Sequence, residues 1–346
     1  DREKEMNISG SFKSSLDIST LRKYQKLFNS FPENIENIKL NASVSNKFDL
    51  KLSNTLKILD YNFFMNGSIA DFRFNFKNKI NSKFLENYVD EIVTKTISLD
   101  VNLNAKKKNY LLLNGLYKTN NSEFKKFKIK NDLKKTNSNY DINFDLGEQI
   151  NIEALNFKTN PKKKGNIKSR FNIGSKKINL NQFIFEEDKN KIEVKNLKIL
   201  NKSFHKLDDI NIVTFNDGIE NNNFRISFRD KILIKGKKYD SSYLLKQLSG
   251  KKHNFLEKIN KKIEIKFENI ITKSSVPLYN FNLLGVIEKG KFIKINSKSE
   301  FSDNKYLDIS LDKDGENKKI LEIYSDLPKA LLSDFKFFEG IKDGKL

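Results

Sequence analysis

The stretch Gly285 to Lys291, GVIEKGK, comes within one residue of a phosphate-binding loop. Two glycines stand at the right spacing and Lys follows, but the next residue is Phe292 where a Mg²⁺-binding hydroxyl is required. The following FIKINSK alternates like a strand, whereas a phosphate site of this type needs a helix N-terminus, so the stretch reads as a tight turn between two strands. The histidines are His205 and His253. His205 lies in the polar stretch NKSFHKLDD and His253 follows two lysines. Neither sits in a pattern that offers an exposed nucleophile and an orienting acid, and both read as solvated. Asp208 and Asp209 are adjacent, so on a strand they would point to opposite faces. They read as turn residues rather than as an acid/base couple. With no cysteine in the chain, disulfides and Cys-based zinc sites are excluded. The sequence predicts no catalytic residue, no metal site and no cofactor.

The elements explain this silence. Apolar and polar residues alternate along almost the whole chain, as half-buried strands require. In YDINFDLG, Ile142, Phe144 and Leu146 alternate with Asp141, Asn143 and Asp145, and the pattern restarts at Ile150, Ile152 and Ala154. Phe72, Phe74 and Phe76 repeat it, as do Leu99 with Val101, and Ile178 with Leu180. Ile226 and Phe228 follow, then Ile263, Ile265 and Phe267, then Leu307, Ile309 and Leu311. Clusters such as NDGIENNN and DKDGENKK separate the runs, and Asp-Gly between alternating runs signals a hairpin. Roughly 18 to 22 strands at 8–12-residue spacing are expected, as in antiparallel meanders.

Helical periodicity is confined to four short stretches. STLRKYQKLFNSF puts Leu21, Tyr24, Leu27 and Phe28 on one stripe, and FLENYVDEIV groups Phe84, Leu85, Tyr88, Val89 and Ile92. YDSSYLLKQLSG offers Leu244, Leu245 and Leu248, and SDLPKALLSDFKFFEG offers Leu331, Leu332 and Phe335. These read as caps over an edge or open end of a sheet. They do not read as crossovers of an α/β fold.

The fold class expected is all-β with a few short helices. Its core is a long, strongly twisted antiparallel meander, which curls because neighbouring strands rotate by roughly 20–25°. With one apolar face, such a sheet is an open groove. A closed sandwich fits the same alternation. An outer-membrane barrel requires the opposite polarity, apolar outside and polar inside. No composition shift marks a domain boundary. The chain reads as one continuous slice, 1–346, with possible repeat units at about 1–92, 93–240 and 241–346. The chain is 346 residues long with a formal charge of +21, which suits an anionic partner. Its lysines are spread out, however, where a nucleic-acid surface concentrates them, so no nucleic-acid partner is expected. No run of about 18 apolar residues suggests a transmembrane helix. DREKEMNISG lacks an initiating Met and reads as the start of a fragment.

One resemblance adds to this. IKGKKYDSSYLLKQLSG is followed by a run of amphipathic strands and then by SDLPKALLSDFKFFEGIKDGKL. This order resembles the AsmA-like family of Gram-negative bacteria, in particular its YhdP and TamB branch. The family features fall on Gly236, Tyr239, Asp240, Leu244 and Leu245, and then on Ser325, Asp326, Ala330, Leu331 and Leu332. Phe337, Phe338, Gly340, Gly344, Lys345 and Leu346 complete them, with Asp343-Gly344 in place of the family's Gly-Gly. The likeness covers about 230–346.

It implies a periplasmic β-groove, anchored in the inner membrane upstream of this segment, that carries phospholipid between inner and outer membrane. Phospholipids and the two membranes are the implied partners, with envelope proteins besides. The alternating apolar residues named above, apart from Ile150, Ile152 and Ala154, would then line the path of the acyl chains, and Leu244, Leu245, Leu248, Leu331, Leu332 and Phe335 would cover it. About 20 strands at roughly 4.8 Å would give a slice on the order of 95 Å long. No bond is made or broken in such transfer, so no enzymatic activity is implied. The alternative is a periplasmic scaffold that assists outer-membrane protein assembly or envelope integrity.

Overall fold

The computed structural model describes residues 5–17, 34–82, 84–106, 108–120, 122–133, 138–243, 259–273, 276–302, 304–313 and 318–328. These residues are nearly all β. Twenty-one strands run from β1 (Met6–Asp17) to β21 (Lys319–Ser325). Chain contacts divide them into two compact units, Asp1–Ile150 with Lys164–Gly174, and Asn151–Lys163 with Ser175–Leu346. The division falls near 150 and 174. The repeat boundaries suggested near 92 and 240 lie within the units.

The first unit holds β1, β2 (Ile35–Leu52), β3 (Ile58–Ile80), β4 (Val89–Asn104), β5 (Asn109–Thr119), β6 (Lys125–Leu133), β7 (Ser138–Asp145) and β10 (Gly165–Gly174). Each pairs antiparallel with the next in that order. The second unit holds β11 (Lys177–Glu187), β12 (Asn190–Leu200), the short β13 (Ser203–Lys206), β14 (Asp209–Asn216), β15 (Ile219–Phe228) and β16 (Ile232–Asp240). After them come β17 (Lys261–Ile271), β18 (Pro277–Glu288), β19 (Lys291–Glu300), β20 (Tyr306–Lys313) and β21. β8 (Asn151–Ile152) and β9 (Phe157–Lys158) pair only with each other. Neither unit closes into a barrel.

One pairing departs from the expected meander: β16 and β17 run parallel, with Ile232 opposite Ile263 and Ile234 opposite Ile265. Parallel neighbours need a connection of a dozen or more residues, and 241–260 supplies it. Leu244, Leu245 and Leu248 lie in that connection, outside the described residues. Leu331, Leu332, Phe335 and the Leu21–Phe28 stripe also lie outside them. The helix expected at FLENYVDEIV is corrected: residues 84–88 form turns and a single bridge, and Val89 opens β4. There Ile92 faces Phe74, and Val89 pairs with Ile80 across the sheet. Cross-strand burial outweighs a stripe only two turns long, because short helices are marginal without it.

The hairpin expected at NDGIENNN forms, and β20 pairs antiparallel with β21 around DKDGENKK, whose turn lies outside the described residues. Asp217 (φ 49°) and Gly218 (φ 81°) are the two central residues between β14 and β15. Lys289 (φ 48°) and Gly290 (φ 72°) do the same between β18 and β19. Two consecutive positive φ values define the turn whose twist matches flanking strands. GVIEKGK is therefore the tight turn its sequence suggests.

The strands are longer than expected, with 18 residues in β2, 23 in β3 and 16 in β4. They stay one-sided through a repeated device. Thr96 adopts φ 52° inside β4, and the apolar series there steps by three, from Thr94 to Ile97. Opposite it, β3 steps from Ile69 to Phe72. Asn196 (φ 55°) in β12 and Asn280 (φ 51°) in β18 mark the same step, from Val194 to Leu197 and from Leu278 to Phe281. These are bulges, which absorb one residue, bend the strand and increase its twist. Without them the row would switch to the polar face at each step. Close strand approach is enforced at Gly67, where a Cβ would lie 2.2 Å from the Ser43 carbonyl oxygen and 2.8 Å from Val44 Cα.

Candidate functional site: the apolar sheet faces

Register assigns the faces directly, since opposed residues share one. In the first unit, Phe63 opposes Leu103, Met65 opposes Val101, Gly67 opposes Leu99 and Ile69 opposes Ile97. Leu99 continues to Leu113, Leu113 to Ile129, and Ile129 to Ile142. Phe144 stands between Phe127 and Ile167. Phe72, Phe74, Phe76, Leu99, Val101, Ile142 and Phe144 therefore share one face. Leu146, just past β7, meets Gly165 of β10 through its amide, which donates to the Gly165 carbonyl at 2.8 Å.

These seven residues and Leu146 are only half-buried. Part of the face forms a concavity of about 610 Å³ lined by Leu40, Ile69, Phe72, Phe74, Ile92, Thr94, Ile97, Leu113, Tyr117, Phe127, Ile129, Ile142 and Phe144, with Lys128 and Asn143 at its margin. A hollow shared by six neighbouring strands, β2 to β7, is the mark of a bent sheet. The volume is in the range of small-molecule sites. Its polar groups are turned inward on the protein. Thr94 Oγ1 donates to the Phe72 carbonyl at 2.9 Å, and Tyr117 Oη donates to the Asp145 carbonyl at 2.7 Å. Such a surface offers mainly hydrocarbon contact, with Lys128 its one charged lining residue.

In the second unit Ile226, Phe228, Ile263, Ile265, Phe267, Leu307, Ile309 and Leu311 share one face by the same test. The burial differs. Ile263, Phe267 and Leu307 are fully buried, and Ile263 belongs to a packed cluster with Ile232, Ile259 and Leu283. Ile226, Phe228, Ile265, Ile309 and Leu311 are half-buried. Ile178 and Leu180 pair with Ile199 and Leu197 beyond the Asn196 bulge, and Ile178 is exposed.

One element of this unit is absent from the sequence reading. Ile152 and Ala154 do not continue an alternating strand. Residues 151–158 fold as β8, a single 3-10 turn at Glu153–Leu155 and β9, with Asn156 at φ 44°. Leu155 and Phe157 are buried, and the Phe157 ring meets Phe185 at 5.8 Å. The cap is held by polar residues at the end of the apolar rows. Thr214 and Asn222, wholly buried, extend the Ile212–Phe224 row. Asn222 Nδ2 donates to the Leu155 carbonyl at 2.6 Å, and Asn221 Nδ2 to the same oxygen at 3.2 Å. Tyr239 Oη donates to the Ala154 carbonyl at 3.0 Å. Glu187 accepts from the Asn160 amide at 2.9 Å and from Asn190 at 3.1 Å, and burial pushes its carboxyl up. ENNN is thus strand, with the Asn221 and Asn222 amides turned inward to satisfy cap carbonyls that would otherwise be orphaned.

Burial also pushes the Tyr117 phenol up to about 12. It does the same to Tyr239, where the negative charge of Asp240 adds to it, again to about 12. Unfolded, both ionise near 10. The fold therefore favours the neutral phenols. Stability tied to them is complete below about pH 10 and is lost as pH rises toward 12, by at most about 1.4 kcal/mol per pH unit for each phenol. Urea midpoints are expected to fall across that window and to flatten in Tyr117→Phe/Tyr239→Phe. A double variant that falls as steeply would refute the assignment.

The residues first considered for chemistry do not assemble into a site. His205 is exposed on β13. Asp208 accepts from Asn196 at 2.8 Å and pairs with Lys206 at 3.0 Å, while Asp209 pairs with Arg225 at 2.7 Å. Lys206 and Asn196 hold the Asp208 carboxyl below its usual range. Among the described residues no group of three His, Cys, Asp or Glu is placed to hold a metal. His253 lies outside them. No known family, curated protein or solved structure matches the chain.

Proposed function

We propose that this chain is a non-enzymatic conduit that carries phospholipid acyl chains along its apolar sheet face. In this reading it belongs to a periplasmic, inner-membrane-anchored protein of a Gram-negative envelope and moves lipid between inner and outer membrane. The observation that carries the reading is the largely apolar concavity of the first unit. Phe72, Phe74, Ile142 and Phe144 line it, with Thr94 and Tyr117 bonded back to the main chain. A monomeric soluble protein rarely leaves a large contiguous apolar surface without a use for it. Each methylene moved from water onto such a surface gains about 0.8 kcal/mol. A largely apolar face suits acyl chains, while headgroups stay in solvent at the rim.

Native mass spectrometry of the gently purified chain tests this directly. Bound phospholipid is expected, and it should exchange with added fluorescent phospholipid. A chain that is folded, stable and free of lipid, and that takes up none from vesicles, overturns the proposal.

A further inference from the structure

On the opposite, polar face of the second unit, we infer a separate site that binds a compact ligand carrying several phosphate groups, built from Arg225, Arg229, Lys235, Lys237 and Lys266. These residues line a concavity of about 1080 Å³ over β14 to β18. The site stands independently of the lipid reading.

Register shows why this surface is unusual. Asn211, Arg225, Lys235, Lys266 and Asn282 stand directly opposite one another on five successive strands. Three cations therefore lie side by side at roughly 4.8 Å intervals. Like charges directly opposed across a ladder are destabilising. Elsewhere among the described residues opposed cations come only in pairs, Lys39 with Arg73, Lys198 with Lys206 and Lys313 with Lys319, and no such pair extends to a third cation. Acidic neighbours offset only part of the repulsion. Asp209 holds Arg225 at 2.7 Å, and Glu264 holds Lys266 at 2.6 Å and also contacts Lys231. Arg229, Lys235 and Lys237 are exposed and form no ion pair among the described residues. Glu268 lines the same concavity and stands beside Lys237 in register, so the five cations there face one carboxylate besides Asp209 and Glu264.

Residue choice adds a second argument. The chain has six arginines, against a strong preference for lysine, and two of the six are Arg225 and Arg229. A guanidinium adds what an ammonium lacks, a planar fork that grips phosphate or carboxylate with two hydrogen bonds. Geometry separates the two anions. An extended acidic peptide presents same-face carboxylates roughly 6.8 Å apart in a line. Here the cations fill a patch, repeating across the strands and again along β16 from Lys235 to Lys237. Clustered phosphates on a small scaffold match a patch. Nucleobase stacking platforms are few in it, since Phe224 and Phe267 are buried and only Phe281 is half-exposed.

Titration calorimetry of the whole chain with tripolyphosphate at low salt is the test. Binding is expected, weakened at least tenfold in Arg229→Gln/Lys235→Gln and unchanged in Lys126→Gln/Lys128→Gln on the first unit. Glu264→Gln, which frees Lys266, should tighten it severalfold. The lysine and arginine substitutions lie at the surface and Glu264 is half-buried, so a thermal melt verifies that each variant is folded. If the double variant unfolds, Lys237→Gln alone must still weaken binding. Vesicles of phosphatidylcholine with phosphatidylglycerol identify the source. Vesicle binding that tripolyphosphate displaces assigns a lipid headgroup, and tripolyphosphate binding without vesicle binding assigns a soluble phosphorylated ligand. No tripolyphosphate binding, an unaffected double variant, or decaglutamate binding as tightly as tripolyphosphate would overturn the inference.

Discussion

Phe144→Asp is expected to strip bound phospholipid from the chain, while Asn143→Asp, one residue away, leaves it in place. Phe144 lies on the floor of the concavity between Phe127 and Ile167, its ring 6.1 Å from that of Tyr117. A carboxylate there faces hydrocarbon on all sides, and a charge without a partner in such surroundings costs several kcal/mol. The lipid need lose contact with only two methylenes, about 1.6 kcal/mol, for its occupancy to fall roughly tenfold. Asn143 points to the polar face and accepts from Asn166 Nδ2 at 2.7 Å, a bond that an aspartate oxygen keeps. Phe144→Ala separates charge from packing: it removes the same ring contacts without adding a charge and should lose less lipid than Phe144→Asp. Lipid content by mass spectrometry, with a thermal melt of each variant, decides the matter. Equal retention by Phe144→Asp and Asn143→Asp would mean that the floor does not carry the acyl chains.

How far the sequence leads depends on which interactions are local. Alternation is local, so the strand faces holding Phe72, Ile142, Ile265 and Ile309 could be read from the chain. Tight turns are local too, and Asp217-Gly218 and Lys289-Gly290 announce theirs. The rest of the floor was harder to see. Phe127 and Ile129 alternate visibly in FKIK, but Leu113 sits in the unbroken run LLL, where period cannot assign a face. Ile92 falls in a helical stripe because the register of β3 and β4 breaks between Ile80–Val89 and Asn75–Glu91, leaving Val89 and Ile92 three residues apart. A bulge declares itself only through the partner strand. The parallel step between β16 and β17 is likewise a long-range choice. The buried asparagines were hidden most completely. Asn is a turn former by composition, and Asn221 and Asn222 are inside only because the Leu155 carbonyl, 66 and 67 residues away in sequence, comes to meet them.

That contact supports the second large effect. Asn222→Ala should lower stability by about 3–5 kcal/mol and release the cap of the second unit. Asn222 is wholly buried and makes three hydrogen bonds: to the Leu155 carbonyl at 2.6 Å, to Thr214 Oγ1 at 2.8 Å, and from the Asp240 amide at 2.9 Å. Truncation leaves the Leu155 carbonyl with only the longer Asn221 contact and the Asp240 amide with no partner. Each buried orphan costs about 1–3 kcal/mol, beyond the bond itself. The cap's own strands add little, since β8 and β9 are two residues each and pair only with one another. It therefore depends on this amide clamp together with Tyr239, Asn216 and Asn221 and the burial of Leu155 and Phe157. Freed, it uncovers Phe185, which is 3 % exposed in the intact fold. Urea unfolding should show the loss of stability, hydrogen exchange should speed up at residues 153–158, and an apolar dye should bind the newly exposed face. Thr214→Val, which removes one partner of the network but leaves the Asn222–Leu155 bond, should cost less and keep the cap closed. A loss under about 1 kcal/mol with unchanged exchange at 153–158 would show that packing of Leu155 and Phe157, rather than the amide clamp, keeps this part of the apolar face covered.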